Sequence, residues 1–178
     1  MKEVKNLKIK IMIVDDSIVV RAMLKQVLDK REEDYELVAS AKDGQDALFH
    51  LKTKEIDVII MDVEMPRMNG IEALKKIMET NPKPVIMFSS LTGADTKETI
   101  EALKIGAMDF LQKPMKHADF IAMQVELHKK IQAAYKAKNK VTMNHDIPKD
   151  HKKTERPKRK INKEVKNIAL IGSSTGGP

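Results

Sequence analysis

The chain is 178 residues long and 42% apolar, enough for one domain with a sizeable core and a further segment. It has no cysteine, which excludes disulfides and thiolate metal sites. Met1-Lys2-Glu3-Val4 lacks the apolar region of a signal peptide, and no apolar run approaches the roughly 18–20 residues that span a bilayer, so a cytoplasmic protein without membrane insertion is expected. The net charge of +7 is concentrated in residues 136–166, which hold twelve of the 33 Lys and Arg but four of the 26 Asp and Glu, so the basicity is not a nucleic-acid signature of the folded part.

With only 3% aromatic residues, the core must come from Ile, Val, Leu and Met. Lys8 to Val14 reads as a first strand running into Asp15-Asp16. Ser17 caps a helix whose apolar positions Val20, Met23, Leu24, Val27 and Leu28 recur with a 3.6-residue period. Glu36 to Ala41 is a second strand. After the Asp43-Gly44 turn, a helix turns Ala47, Leu48 and Leu51 inward. Ile56 to Asp62 is a short apolar run ending on a carboxylate, the pattern of a strand buried on both faces. Its loop closes at Asn69-Gly70, and a helix carries Ile71, Leu74, Ile77 and Met78 on one face up to the stop at Asn81-Pro82-Lys83-Pro84. Val85 to Phe88 is a fourth strand, ending on Ser89-Ser90. Asp95 to Ile105 is a helix closed by Gly106. Asp109 to Gln112 is a fifth strand, ending on Lys113-Pro114. A last helix from Lys116 keeps Phe120, Ile121, Leu127 and Ile131 apolar.

Five alternations of strand and helix predict an α/β domain over residues 1–135: a flavodoxin-like (βα)5 doubly wound parallel sheet. Residues 136–164, with the run Arg156-Pro157-Lys158-Arg159-Lys160, read as a basic flexible linker, because like charges repel and little can be buried. In residues 165–178 an apolar run meets Gly172-Ser173-Ser174-Thr175-Gly176-Gly177-Pro178. This reads as the first strand of a second α/β domain, the remainder of which is expected to be missing.

Ligand crevices in doubly wound sheets lie at the carboxyl ends of the strands. Asp15-Asp16, Asp62 and Lys113 all fall there, on strands expected to be neighbours. Taken singly, each has an ordinary explanation: helix capping for Asp15-Asp16, a turn for Asp62, a solvated loop for Lys113. Taken together, crowded carboxylates repel, and an all-oxygen donor set resolves this by holding a hard divalent cation such as Mg²⁺. Such a site suits phosphoryl transfer onto a carboxylate, with Asp62 the nucleophile, Mg²⁺ and Lys113 screening the transferred charge, and Ser89 donating to a phosphoryl oxygen.

The set Asp15, Asp16, Asp62, Ser89 and Lys113-Pro114, with Met65-Pro66 and Asn69-Gly70, resembles the receiver domain of bacterial-type response regulators over about residues 7–130. The resemblance implies that Asp62 is phosphorylated by a histidine kinase. It also implies that Asp16, Asp62 and the Glu64 backbone carbonyl bind Mg²⁺, with Asp15 assisting through water. Phe110 matches the family's aromatic switch and Ser89 its switch hydroxyl, with Ser90 the neighbouring alternative.

Two stretches narrow the resemblance. Ser89-Ser90-Leu91-Thr92-Gly93 with Asp109-Phe110-Leu111-Gln112-Lys113-Pro114 is similar to receivers of the chemotaxis protein-glutamate methylesterase family, CheB. Ile168 to Pro178 resembles the opening of that family's catalytic domain, with Ser174 at the position of the nucleophilic serine. A serine on a tight strand-to-helix turn is exposed in the manner of a nucleophile elbow. A serine esterase also needs a histidine and an orienting carboxylate. His50, His117 and His128 fall on receiver helices and His145 and His151 in the linker, so this chain is expected to be inactive as an esterase. The resemblance implies a phosphorelay response regulator whose phosphorylation governs demethylation and glutamine deamidation of chemoreceptors, the substrates of the intact parent. The alternatives are a stand-alone receiver acting as a phosphate sink or docking module, and a receiver from a DNA-binding regulator. The latter is disfavoured because the segment after the linker is Gly- and Ser-rich, without a helix-turn-helix pattern.

Overall fold

In the computed structural model, residues 7–90 and 97–143 are described. Strands and helices alternate as β1 (Ile9–Val14), α1 (Ile18–Asp29), β2 (Tyr35–Ala41), α2 (Gly44–Thr53), β3 (Val58–Asp62), α3 (Gly70–Thr80), β4 (Val85–Ser89), α4 (Lys97–Ile105), β5 (Asp109–Gln112) and α5 (His117–Met143). The five strands form one sheet in the order β2-β1-β3-β4-β5, with every pairing parallel. This is the flavodoxin-like order expected from the pattern, and its direction reverses between β1 and β3, the position where such sheets open a crevice.

Alternation along the strands sends side chains to two cores. Ile11, Ile13, Val58, Ile60, Ile86 and Phe88 meet α1 and α5 on one face. Met12, Val14, Ile59, Met61, Val85 and Met87 meet the core that includes Ala47, Leu74, Ile77 and Ala102 of α2, α3 and α4. The strands are apolar at both parities because both faces are covered.

The helix ends follow local chemistry. Ser17 Oγ accepts the Val20 amide at 3.4 Å, and Asn69 and Glu72 form a reciprocal capping box at the start of α3. Gly106 closes α4 at φ +123°, a conformation that favours glycine, and its amide bonds the Ala102 carbonyl at 3.1 Å.

Three expectations are corrected. β3 begins at Val58 rather than Ile56, although Ile56 is buried. Ile121 is 67% exposed, and the inward line of α5 is Met123, Leu127, Ile131 and Ala134, which keeps the i, i+4, i+8, i+11 spacing that Ile121 breaks. α5 runs to Met143, so residues 136–143 of the expected linker are helical. There Lys138 Nζ, at 2.5 Å from Asp57 Oδ1, ties the helix to the residue just before β3. The remaining linker, the segment 165–178 with Ser174, and the expected helix start at Asp95 lie outside the described residues.

Candidate functional site

Register puts the candidate residues at one level. Val14 pairs with Met61, so Asp15 follows its strand where Asp62 ends its own. Asp62 pairs with Phe88, Ser89 pairs with Gln112, and Lys113 follows directly after the end of β5. Asp15, Asp16 and Asp62 each offer a carboxylate oxygen, and these atoms lie within 4.8 Å of one another. Asp15 and Asp62 are buried, at 1% and 5% exposure, while Asp16 is exposed.

Lys113 does more than face this cluster from the far side. Its Nζ lies 2.8 Å from Asp15 Oδ2 and 2.9 Å from Asp62 Oδ2, so one ammonium bridges both buried carboxylates. The other Asp15 oxygen accepts the Ser17 amide at 2.9 Å, so Asp15 also organises the start of α1. Asp15 therefore both starts α1 and belongs to the carboxylate cluster.

The electrostatics follow from this burial. Burial pushes the Asp62 carboxyl above its usual range, and the Asp15 charge adds to the push. The Lys113 ammonium, 2.9 Å from Asp62 Oδ2, and the dipole of the nearby Glu64 backbone N–H oppose it. Burial alone would lower Lys113, but its hydrogen bonds to Asp15 and Asp62 and their charges outweigh this and raise it. The two directions are compatible, because the carboxylate is desolvated while the lysine side chain keeps 20% exposure.

The donor set fits a hard divalent cation. Three ionised carboxylates against one ammonium leave two negative charges, and every available donor is oxygen. Asp16, Glu64, Met65 and Glu98 line part of an open cleft of about 760 Å³ beside the cluster, which gives a ligand a way in. A second groove of about 650 Å³, lined in part by Arg31, Tyr35 and His128, lies at the opposite end of the sheet.

The other expected residues are placed less tightly. Ser89 is the last residue of β4; its side chain is buried and its carbonyl accepts the Lys113 amide at 2.8 Å, whereas Ser90 is exposed. Phe110 is partly buried against the α2–α4 core. Strand alternation puts it on the face opposite Lys113.

Two contributors, Arg21 and Arg67, were not singled out from the sequence, and Gly70 was read there only as a turn and motif residue. Arg21 Nη1 donates to the Asp15 carbonyl at 2.6 Å and the Asp16 carbonyl at 3.1 Å, pinning the loop that carries both acids. A basic residue one turn into a mostly apolar helix, just after two acids, was the available signal. Gly70 approaches the chain at Asp62 so closely that a Cβ there would lie 2.0 Å from the Asp62 carbonyl oxygen. Arg67 reaches Asp43 and has no sequence-level signal, because the two lie on different loops.

Residues 11–124 match the family model of the response regulator receiver domain. The chain belongs to the response regulator receiver family. This receiver is 44% identical to the response regulator domain of Thermotoga maritima CheB, whose crystal structure superposes with a TM-score of 0.68 over 73% of this chain and 98% of that one. It is also 30% identical to a protein in the Borrelia burgdorferi CheX-CheY-BeF3-Mg²⁺ complex, with a TM-score of 0.55 over 67% of this chain and 89% of that one. Among full-length relatives, the protein-glutamate methylesterase/protein-glutamine glutaminases of Thermotoga maritima and Archaeoglobus fulgidus are 42% and 41% identical. The alignments cover 96% and 95% of this chain but 48% of each relative, so the chain spans about half their length. Among the described residues, no helix is long and apolar enough to cross a membrane.

Proposed function

We propose that this receiver accepts a phosphoryl group on Asp62 in a chemotaxis phosphorelay and that its phosphorylation governs a protein-glutamate methylesterase. The observation that carries the reading is the Lys113 ammonium bridging Asp15 and Asp62 beside the exposed Asp16. In the transfer, an Asp62 carboxylate oxygen attacks phosphorus as the phosphorus–nitrogen bond of a kinase phosphohistidine breaks. The histidine nitrogen takes the electron pair, and an acyl phosphate is left on Asp62.

Asp16, Asp62 and the Glu64 carbonyl would hold Mg²⁺, with Asp15 assisting through water; bound there, the ion supplies positive charge to the phosphoryl oxygens. The neighbouring structure that contains CheY with BeF3 and Mg²⁺ supports this assignment. Lys113 holds the negative charge of the transferred group from the other side, Ser89 donates its hydroxyl, and Phe110 answers the change as the aromatic switch. Likeness to the methylesterase/glutaminase relatives supports a full-length protein that demethylates and deamidates chemoreceptors in the cytoplasm, taking phosphate from the chemotaxis histidine kinase. Ser174 would be the nucleophile of that esterase.

The test is incubation of the chain with acetyl phosphate and Mg²⁺, followed by intact-mass spectrometry. One phosphoryl adduct is expected, lost in Asp62→Asn and on chelation of the metal. Uptake by Asp62→Asn equal to that of the parent would overturn the assignment.

A further inference from the structure

The β3–α3 loop, Val63 to Asn69, carries Glu64 past Asp62, and three ties outside the cluster hold it. The Gly70 amide bonds the Val63 carbonyl at 2.9 Å, and the Gly44 amide bonds the Met68 carbonyl at 3.1 Å. The third tie is an ion pair between Arg67 and Asp43, the N-cap of α2, with Arg67 Nε 2.6 Å from Asp43 Oδ2 and Nη2 on the same oxygen.

Two features separate this pair from an ordinary surface salt bridge. Asp43 is only 2% exposed, with its other carboxylate oxygen taken by the Asp46 amide at 2.8 Å, so each oxygen is committed. Arg67 sits at φ +66° and, among the described residues, is the one non-glycine with positive φ. Residues are held in that region only where their surroundings over-determine the backbone. Here the guanidinium contact, the Met68 carbonyl and the closure of Met68 over Gly44 all fix it; a Cβ on Gly44 would lie 2.7 Å from Met68 Cγ.

What this loop presents to the site is Glu64, two residues past Asp62 at the end of β3 and lining the same cleft as Asp16. We infer that Arg67 and Asp43 are positioning residues for the Asp62 site, their ion pair fixing the β3–α3 loop so that the Glu64 main chain is held at Asp62 before any ligand arrives. The inference rests on the reading of Asp62 as acceptor beside a Mg²⁺ site. A preorganised carbonyl binds a metal more tightly than one that must first be ordered, and outer contacts of this kind tune metal affinity.

Two variants of the full chain separate positioning from mere support of the fold. Asp43→Asn keeps a good N-cap for α2 but removes the charge, and Arg67→Gly removes the guanidinium while glycine tolerates the positive φ. The readouts are the Mg²⁺ dissociation constant by calorimetry and the half-life of the acetyl phosphate-derived adduct. Each variant should weaken Mg²⁺ binding by about threefold or more and change the adduct half-life, with the double variant no weaker than the weaker single, as one shared interaction requires. Mg²⁺ affinity and adduct half-life equal to those of the parent in both variants would overturn the inference, with the reading of Asp62 left standing. A parent chain that neither binds Mg²⁺ nor takes up phosphate overturns that reading, and the inference with it.

Discussion

Lys113, one residue past the end of β5, reaches over β4 to Asp62 at the end of β3, with its ammonium 5.6 Å from the Phe88 ring centre on the strand between. Neighbouring strands are about 4.8 Å apart, so the bridge spans two strand intervals, and its contact with Asp15 reaches a third. A long flexible cation is needed there. Removing it leaves two buried carboxylates without a cation. Breaking a buried pair costs about 3–5 kcal/mol, and the partial exposure of Lys113 puts Lys113→Ala at about 2–3 kcal/mol of lost stability. Urea unfolding in the presence of a chelator measures this, and a loss below about 0.5 kcal/mol, the scale of an ordinary surface change, would count against the bridge.

Divalent metal should stabilise the folded chain by mass action, because the three-carboxylate cluster is assembled only on folding. At ten times its dissociation constant, Mg²⁺ adds about 1.4 kcal/mol. Asp16→Asn should shrink that gain while leaving metal-free stability close to the parent's, since Asp16 is exposed. Thermal unfolding across a Mg²⁺ titration reads both effects. A midpoint that does not move with millimolar Mg²⁺ would sink the metal assignment.

The sequence carried the strand ends because they are local: an apolar run that stops on Asp62 states its own boundary. Strand order then brought Asp15, Asp16, Asp62 and Lys113 to one level. What was not legible depended on contacts between distant segments. Period alone did not show that Met123 rather than Ile121 faces the sheet, since both are apolar and lie near the start of the same helix. The double bridge of Lys113 and the Arg67–Asp43 tie each join separate loops or strand ends, whereas the Arg21 bonds are local and had a signal in the sequence. The basic composition that suggested a linker from residue 136 is compatible with helix as far as Met143, where Lys138 finds Asp57.

Asp43 should make a distinct contribution to acid stability. Burial opposes its ionisation, but the Asp46 and Gln45 backbone amides and the Arg67 guanidinium outweigh this and hold its carboxyl below the usual range. A depressed carboxyl adds stability that is fully present above its unfolded pKa, about 3.9, and is lost as pH falls through the lower folded value. Asp43→Asn should therefore be less stable than the parent at pH 7, and the gap should close below about pH 4. Urea midpoints of the two chains from pH 7 to pH 3 give the difference directly. Parallel curves down to pH 3 would show that Asp43 titrates alike in the folded and unfolded chains.

Gly70 and Gly44 are both buried helix-start glycines, but they should respond differently to alanine. At Gly70 the added Cβ meets backbone: the Asp62 carbonyl oxygen at 2.0 Å, its carbonyl carbon at 3.0 Å and Val63 Cα at 3.0 Å. None of these can move without displacing the strand end that carries Asp62. At Gly44 the contacts are Met68 Cγ at 2.7 Å, Ala73 Cβ at 2.8 Å and Met68 Sδ at 2.9 Å, and the methionine has rotatable bonds with which to yield. Overpacking typically costs about 1–3 kcal/mol, so Gly44→Ala should fall within that range and Gly70→Ala at or beyond its upper end. Gly70→Ala should also slow adduct formation with acetyl phosphate, because relief of the clash shifts the Asp62 main chain. Equal urea midpoints for the two variants would mean that the loop after β3 yields as readily as a methionine side chain, contrary to its three ties.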